Sequence, residues 1–336
     1  MNAWEIRRDG GIDALVACER PAPAPGPREL VVRVRAVSLN YRDLLHVLGY
    51  ADRDRWPLVP CSDGAGEVVA VGCDVTRFRV GDRVAGTFFQ GWDAGPITAE
   101  AMETALGGRL QGMLAEHALL REDGAVPVLP GWSFEQAATL PCAALTAWNA
   151  LVAQGRLAAG ETVLVLGTGG VSLFALQIAK LHGARVIVTS SSDEKLARAR
   201  ALGADGTVNY RAQPDWEKRV LELSGGRGVD HVVEVGGAGT LEKSLIATRH
   251  GGSVWLIGVL TGFQATVNPL NVLQKSLRVQ GIYVGSAEMF RGMNAAFGAN
   301  RLEPVIDRVF AFTDAPDAFR AMQAAGHFGK LVVRVD

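Results

Sequence analysis

The chain has 336 residues, 48% hydrophobic and 21% charged, with a formal net charge of −1. That length favours two cores over one, and the near-neutral balance gives no electrostatic reason to expect nucleic-acid or membrane partners. Four scattered cysteines (Cys18, Cys61, Cys73, Cys142) suit reduced thiols in the cytoplasm better than a disulfide framework, and Met1 to Asp9 has no apolar signal core.

In chain order, Pro21 to Pro27 reads as a proline-rich turn. Leu30 to Val37 alternates Val32, Val34 and Ala36 with Arg33 and Arg35, the period of a half-buried strand. Asn40-Tyr41-Arg42-Asp43 leads into a short helical stretch closed by Gly49. Gly64 to Gly72 is a strand bounded by glycines, and Val80 to Val84 supplies a turn and a further strand. The first third is therefore expected to be β-rich, with Trp92 to Gly112 a Gly- and Ala-rich loop. Ser133 and Gln136 predict a capping box that opens a helix, and the helical region continues through Pro141 to Trp148.

The texture then changes to strands alternating with helices. Thr162 to Leu166 is an apolar run with the length of a buried strand. Gly167-Thr168-Gly169-Gly170-Val171-Ser172 follows, then a predicted helix from Leu173 to His182 and a second strand from Arg185 to Thr189. Strand, glycine turn, helix and strand form a dinucleotide-binding unit. Gly167 permits the tight turn, Gly169 lets a pyrophosphate approach the backbone, and the N–H groups opening the helix bind the anion. Ser172 stands where a third glycine is usual. Further on, helices are predicted from Asp193 to Leu202, from Asp215 to Leu223, and from Leu241 to about Gly251-Gly252. Strands are predicted at Thr207 to Tyr210, Val229 to Val235, Ser253 to Gly258 and Leu277 to Val284. This alternation implies an α/β fold with a doubly wound parallel sheet. After Ser286 the pattern is helix, strand (Val305 to Phe310), helix and strand (Lys330 to Val335).

Several segments together carry a resemblance: Asn40 to Asp43, Gly64 to Gly72, Val80 to Val84, Leu145 to Leu151, Gly167 to Val171, and His327-Phe328-Gly329-Lys330. The chain resembles the medium-chain dehydrogenase/reductase superfamily, and within it the zinc-independent, quinone-oxidoreductase-like members. The resemblance implies a GroES-like β-rich catalytic domain (residues 1–122 and 285–336) and a Rossmann NADP(H)-binding domain (residues 123–284). It also implies a homodimer formed through late edge strands.

Zinc enzymes of that superfamily take their catalytic metal from a Cys in the first motif, a His in the glycine strand and a Cys near the Leu-Thr-Ala-Trp segment. Here those positions hold Asn40, Ser62 (followed by Asp63) and Cys142. Three competent ligands are needed and one is present, so no zinc is expected. Without a metal, Asn40, Tyr41 and Tyr50 are the candidates to donate hydrogen bonds to a substrate oxygen. Such donors are weaker than a metal and suit an activated acceptor, a quinone or α,β-unsaturated carbonyl. Asn40 also reads as a helix cap, and Asp43 as the partner of a nearby arginine.

Cofactor choice turns on the end of the second strand, where NAD-binding units carry an acidic residue. This chain has Ser190 and Ser191 there, with Lys195 one helical turn on, which favours NADPH over NADH. The resemblance adds Tyr210 near the adenine or its phosphate, Thr146 near the nicotinamide, and Gly236, Gly258, Val259, Tyr283 and Val284 along the cofactor cleft. Phe328 and Lys330 are expected to approach the nicotinamide half. The expected activity is hydride transfer from NADPH to a small-molecule carbonyl or quinone. The alternatives are a zinc-type alcohol dehydrogenase and an NADPH-binding redox sensor with little turnover.

Overall fold

The computed structural model of the chain describes residues 1–7, 9–50, 53–264 and 266–336. Its residues fall into two units, Met1–Leu145 with Gly285–Asp336, and Thr146–Val284. The first cut lies at 145, where the sequence reading puts it at 122. Residues 123–145 sit with the first unit because Ala125–Pro127 adds a strand to its sheet and the helix Phe134–Ala138 packs against that sheet.

The first unit opens with the antiparallel pair β1 (Asn2–Ile6) and β2 (Leu15–Glu19). Its main sheet uses β3 (Glu29–Ser38), β4 (Asp63–Val71), β5 (Arg83–Gly86), β6 (His117–Arg121) and β7 (Ala125–Pro127). In β3 the apolar residues Leu30, Val32, Val34 and Ala36 are buried while Arg33 is exposed. Gly66 of β4 lies against β3 so closely that a Cβ would fall 2.0 Å from the Arg33 carbonyl oxygen. Between β3 and β4, Asn40 and Asp43 form a capping box on the helix Tyr41–Leu45, and a tight turn (His46–Tyr50) ends in Gly49 at φ 103°.

The second unit is a six-stranded parallel sheet of β8 (Thr162–Leu166), β9 (Arg185–Ser190), β10 (Gly206–Asn209), β11 (Val229–Glu234), β12 (Thr248–Leu256) and β13 (Arg278–Gly281). Its spatial order is β10-β9-β8-β11-β12-β13. This is the doubly wound order, with its switch point between β8 and β11. All residues of β8 and β11 are buried, as expected for strands covered on both faces. Several boundaries differ from expectation; the strand expected from Ser253 to Gly258 runs from Thr248 to Leu256. The helix after β8 begins at Gly170, because the last glycine of the turn is already helical. The helix from Leu241 ends at Ala247, and Gly251-Gly252 lies inside β12. The strand expected from Leu277 to Val284 is confined to Arg278–Gly281, and Val284 has φ 59°.

The chain returns to the first unit through the helix Ala287–Asn300, β14 (Ile306–Ala311), the helix Ala315–Gln323 and β15 (Lys330–Arg334). β14 and β15 run parallel, and β15 pairs antiparallel with β3. The sheet order is β14-β15-β3-β4-β5-β7, with β6 also paired to β3. Phe319, Leu331 and Val333 thereby enter the same core as Leu30, Val32 and Leu44. Gly329, the residue before β15, has φ 95°, and a Cβ there would lie 2.3 Å from the Val305 carbonyl oxygen. Both the backbone conformation and the contact exclude a side chain. Gly329→Ala is expected to cost roughly 2–4 kcal/mol of stability, read as a lowered midpoint of denaturant unfolding; an unchanged midpoint contradicts the packing argument.

Candidate active-site elements

The glycine turn after β8 leaves open space at the start of a helix, where an anion could approach the backbone. Gly167 takes φ 74°, and its N–H donates to Thr189 Oγ1 at 3.3 Å, tying the turn to β9. Gly169 is the N-cap of the helix Gly170–Leu181, and a Cβ on it would meet nothing within 4 Å, so the space beside it is open. Ser172 is buried and donates its hydroxyl to the Leu166 carbonyl at 2.7 Å, joining helix to strand. The N–H groups of the helix's first turn, at Gly170 and Val171, have no intrahelical acceptor and sit at the positive end of its dipole. Thr168 is buried within the turn.

At the carboxyl end of β9, Ser190 is buried and its Oγ accepts the Ser192 N–H at 3.3 Å. Tyr210 N donates to the Ser190 carbonyl at 3.0 Å, which sets this half-exposed tyrosine beside the strand end. Ser191 is half-buried. Ser192 caps the helix Asp193–Ala201 through Lys195 N, so Lys195 lies in the helix's first turn. The Asp193 carboxylate accepts from Asn209 Nδ2 at 2.9 Å. The second unit therefore gathers two serines, a lysine and a tyrosine at this edge, with the Asp193 carboxylate engaged by an amide.

Beyond the switch point, Glu234 at the end of β11 is fully buried. It accepts from Gly236 N (2.8 Å), Gly237 N (3.0 Å), Thr240 Oγ1 (2.6 Å) and Ser244 Oγ. This carboxylate shapes the Gly236 loop. Sequence reasoning passed over it, although an acid ending an apolar strand just before paired glycines is a visible signal. Gly258 lies against that segment, where a Cβ would fall 2.2 Å from the Val235 carbonyl oxygen. Val259 is half-buried, Tyr283 is 49% exposed, and the Val284 carbonyl accepts from Asn149 Nδ2 at 2.7 Å. Thr146 is buried.

The first unit holds a buried polar cluster. The Lys330 ammonium, 3% exposed, donates to the Leu39 carbonyl at 2.7 Å and to Asn40 Oδ1 at 2.5 Å. Asn40 Nδ2 lies 3.5 Å from Ser62 Oγ, which donates to Asp63 Oδ1 at 2.7 Å. Asp63 Oδ2 accepts the Cys142 N–H at 3.0 Å. Asp43 accepts the Asn40 N–H at 2.8 Å and pairs with Arg42 at 3.2 Å. Arg42 also donates to the Leu106 carbonyl at 2.8 Å and lies over the Phe88 ring, anchoring the loop expected at Trp92 to Gly112. Tyr41 and Tyr50 are 38% and 64% exposed. Phe328 is buried, with its N–H on Asp307 at 3.2 Å. The cluster thus unites Asn40 with Lys330, and with Ser62 and Asp63, whose hydrogen-bonding roles no local pattern announced.

As a zinc site this donor set fits poorly. Asn40 offers an amide whose oxygen is taken by an ammonium, Ser62 a hydroxyl, and Cys142 a thiol whose ionisation is pushed upward by burial and by the Asp63 and Asp43 carboxylates. Among the described residues, no three or more His, Cys, Asp or Glu side chains are placed to hold a metal ion, and no helix is long and apolar enough to cross a membrane.

Comparison with known proteins agrees with this architecture. An alcohol dehydrogenase GroES-like domain model matches residues 26–130, and a zinc-binding dehydrogenase model matches residues 170–299. The chain is 42% identical to a zinc-type alcohol dehydrogenase-like protein of Schizosaccharomyces pombe, over 97% of this chain and 96% of that one. It is 34% identical to a quinone oxidoreductase of Pseudomonas aeruginosa, over 96% of each. A solved NAD-dependent alcohol dehydrogenase superposes with a TM-score of 0.92 at 36% identity, covering 100% of both chains.

Asp63 is a carboxyl whose ionisation is altered by its burial in the cluster. Burial raises its pKa from 3.8 to about 6, against the opposing pull of the Lys330 charge and the Ser62 hydroxyl. A carboxyl with a raised folded pKa binds its proton more tightly folded than unfolded. Its stabilising contribution is full below pH 4 and is lost as pH rises through 6. Other carboxylates titrate in the same window, so the test is a difference. The stability of the native protein relative to Asp63→Asn is expected to fall by about 3 kcal/mol between pH 4 and 6.5, measured by urea unfolding. A difference that stays flat across that window refutes it.

Proposed function

Because the chain belongs to the medium-chain dehydrogenase/reductase superfamily, whose members are NAD(P)H-dependent oxidoreductases, we propose that it is a zinc-independent reductase. In this reading it moves hydride from NADPH to a quinone, an α,β-unsaturated carbonyl or another activated carbonyl. The observation that carries the reading is the ammonium of Lys330 on Asn40 Oδ1. A fixed cation already holds the oxygen of the first residue of the metal-ligand pattern, and a dication beside it would be repelled.

NADPH, when bound, supplies the hydride. Gly167 to Val171 hold its pyrophosphate at the helix N-terminus, and Ser190, Ser191, Lys195 and Tyr210 receive the 2′-phosphate. Gly236, Gly258, Val259, Tyr283 and Val284 line the remainder of the nucleotide's path. In the first unit Asn40 donates a hydrogen bond to the substrate oxygen as negative charge builds on it. An enolate or hydroquinone anion spreads its charge and needs less stabilisation than a simple alkoxide, so a neutral amide donor, weaker than a metal, suits activated acceptors. The quinone oxidoreductase of Pseudomonas aeruginosa supports this choice.

A second reading, an NAD-dependent alcohol dehydrogenase, is favoured by the name of the solved relative. Against it stands the end of β9, where serines replace the carboxylate that would hold a free ribose hydroxyl and repel a phosphate. A homodimer is also part of the proposal. β13 is the outer strand of its sheet, and Val279, Leu270 and Leu273 near it are exposed. Its four cysteines are free thiols, in keeping with a cytoplasmic protein.

Chelator-treated protein titrated by fluorescence is expected to bind NADPH at least tenfold more tightly than NADH, and Lys195→Ala to lose roughly tenfold in NADPH affinity. Tighter binding of NADH, or an unchanged Lys195→Ala variant, contradicts the cofactor assignment. The same metal-free protein is expected to oxidise NADPH with quinones or enones. Activity that appears only on adding zinc, with alcohols as substrates, establishes the second reading instead. Light scattering is expected to give twice the chain mass, and the mass of a single chain contradicts the dimer.

A further inference from the structure

Lys330 lies outside the short motif of Asn40, yet its amine reaches that residue. An ammonium only donates hydrogen bonds, so the atom of Asn40 facing it must be the oxygen. Flipping the amide would put NH2 against NH3+, inside a cluster where both residues are more than nine-tenths buried. The orientation of Asn40 is thus fixed by charge. With Oδ1 held at 2.5 Å by Lys330, Nδ2 is turned toward Ser62. The second effect is electronic. A cation on the oxygen of an amide draws charge from its nitrogen and makes the N–H groups stronger donors, more so in a low-dielectric site.

The backbone around Lys330 is held just as firmly. Leu39 N donates to the Leu331 carbonyl at 3.0 Å, Lys330 N donates to the Val305 carbonyl at 2.9 Å, and the second bond of the amine goes to the Leu39 carbonyl. The lysine therefore grips the residue before Asn40 as well as its side chain. From this geometry we propose that Lys330 is the positioning residue of the reaction: it orients and polarises the Asn40 amide, whose N–H groups face Ser62 and the Asp63 carboxylate until one of them is passed to the substrate oxygen. The inference rests on the reductase reading above, and it assigns Lys330 to the chemistry of the first unit, where the sequence resemblance expects a contact with the nucleotide.

The test is a double-mutant cycle on chelator-treated full-length protein with NADPH and an enone, using Asn40→Ala, Lys330→Met and their combination. Each single variant is expected to lower kcat roughly 10- to 100-fold. The double variant is expected to be no slower than Asn40→Ala alone, because Lys330 acts through Asn40. NADPH affinity, read by fluorescence, is expected to stay within twofold of the native value in all three. Asn40→Asp keeps an acceptor for the ammonium but has no N–H to donate, so it is expected to fold normally and lose the same activity. That variant keeps the proposal testable if Lys330→Met does not fold. Additive losses in the cycle, a native kcat in Lys330→Met or Asn40→Asp, or a Lys330→Met variant whose main defect is NADPH affinity each overturn the proposal. If the native protein itself reduces no quinone or enone, the reductase reading fails and the inference falls with it.

Discussion

A buried ammonium has to be met by acceptors, since an unpaired charge in a protein interior costs several kcal/mol. In the first unit that requirement is met at Lys330, and much of the local architecture follows from it. The lysine is the first residue of β15, and β15 reaches its place by pairing with β3. β3 ends just before Leu39 and Asn40, the two acceptors of the amine. A glycine with a positive φ immediately precedes the lysine, pressed against the Val305 carbonyl. Asp43 and Asp63 supply the compensating negative charge nearby, each held by its own donors: the Asn40 N–H and Arg42 for one, the Ser62 hydroxyl and Cys142 N–H for the other. The cluster is a connected set of hydrogen bonds between segments distant in sequence.

The second unit manages buried charge differently. β11 carries Asp230, His231 and Glu234 among its valines, and all are buried. Asp230 accepts the Thr162 N–H at 2.8 Å and pairs with Arg227 and Arg249. His231 lies between Glu161 and the Trp255 indole N–H. The indole donates to Nδ1, so Nε2 carries the proton toward Glu161 and the ring is held in one tautomer. These groups fasten the start of the central strands to one another. Glu234, at the opposite end of β11, instead shapes a loop where the nucleotide is proposed to lie. One strand therefore provides both an anchor at its amino end and a sculpted turn at its carboxyl end.

Features governed by local periodicity and turn chemistry were legible in the sequence. The run Thr162 to Leu166 and the strand from Arg185 read correctly because each uses its own short-range rule, and the Ser133–Gln136 capping box forms with bonds of 2.9 and 3.1 Å. Glycines misled where they were read as stops. Gly251, with φ 67°, lies at an irregularity in the β11–β12 pairing, so the pair Gly251-Gly252 interrupts register within a strand and does not end a helix. Gly170 was read as turn and is helical. The assignment of residues 123–145 depended on which sheet Ala125–Pro127 would join, which no local pattern contains. The same holds for the polar cluster. Ser62 and Cys142 stand out in the sequence only as failed metal ligands, Asn40 as a candidate donor and helix cap, and the bond from Lys330, 290 residues away along the chain, exists only in the folded sheet.

The interleaving of the two units along the chain sets an order of events during synthesis. Residues 146–284 form a contiguous unit, whose six strands are all available once that segment has left the ribosome. The unit carrying Asn40 is different: its sheet waits for β14 and β15, and Phe319 and Leu331 must arrive to finish its core. Until then Leu39 and Asn40 lack their cationic partner, and the end of β3 from Ala36 to Ser38 lacks the neighbour that β15 supplies. The strands of the second unit are therefore all made before the other sheet can be closed, and a message broken near its end would yield a protein whose six-stranded sheet can form but whose Asn40 segment lacks the strand and the lysine that hold it.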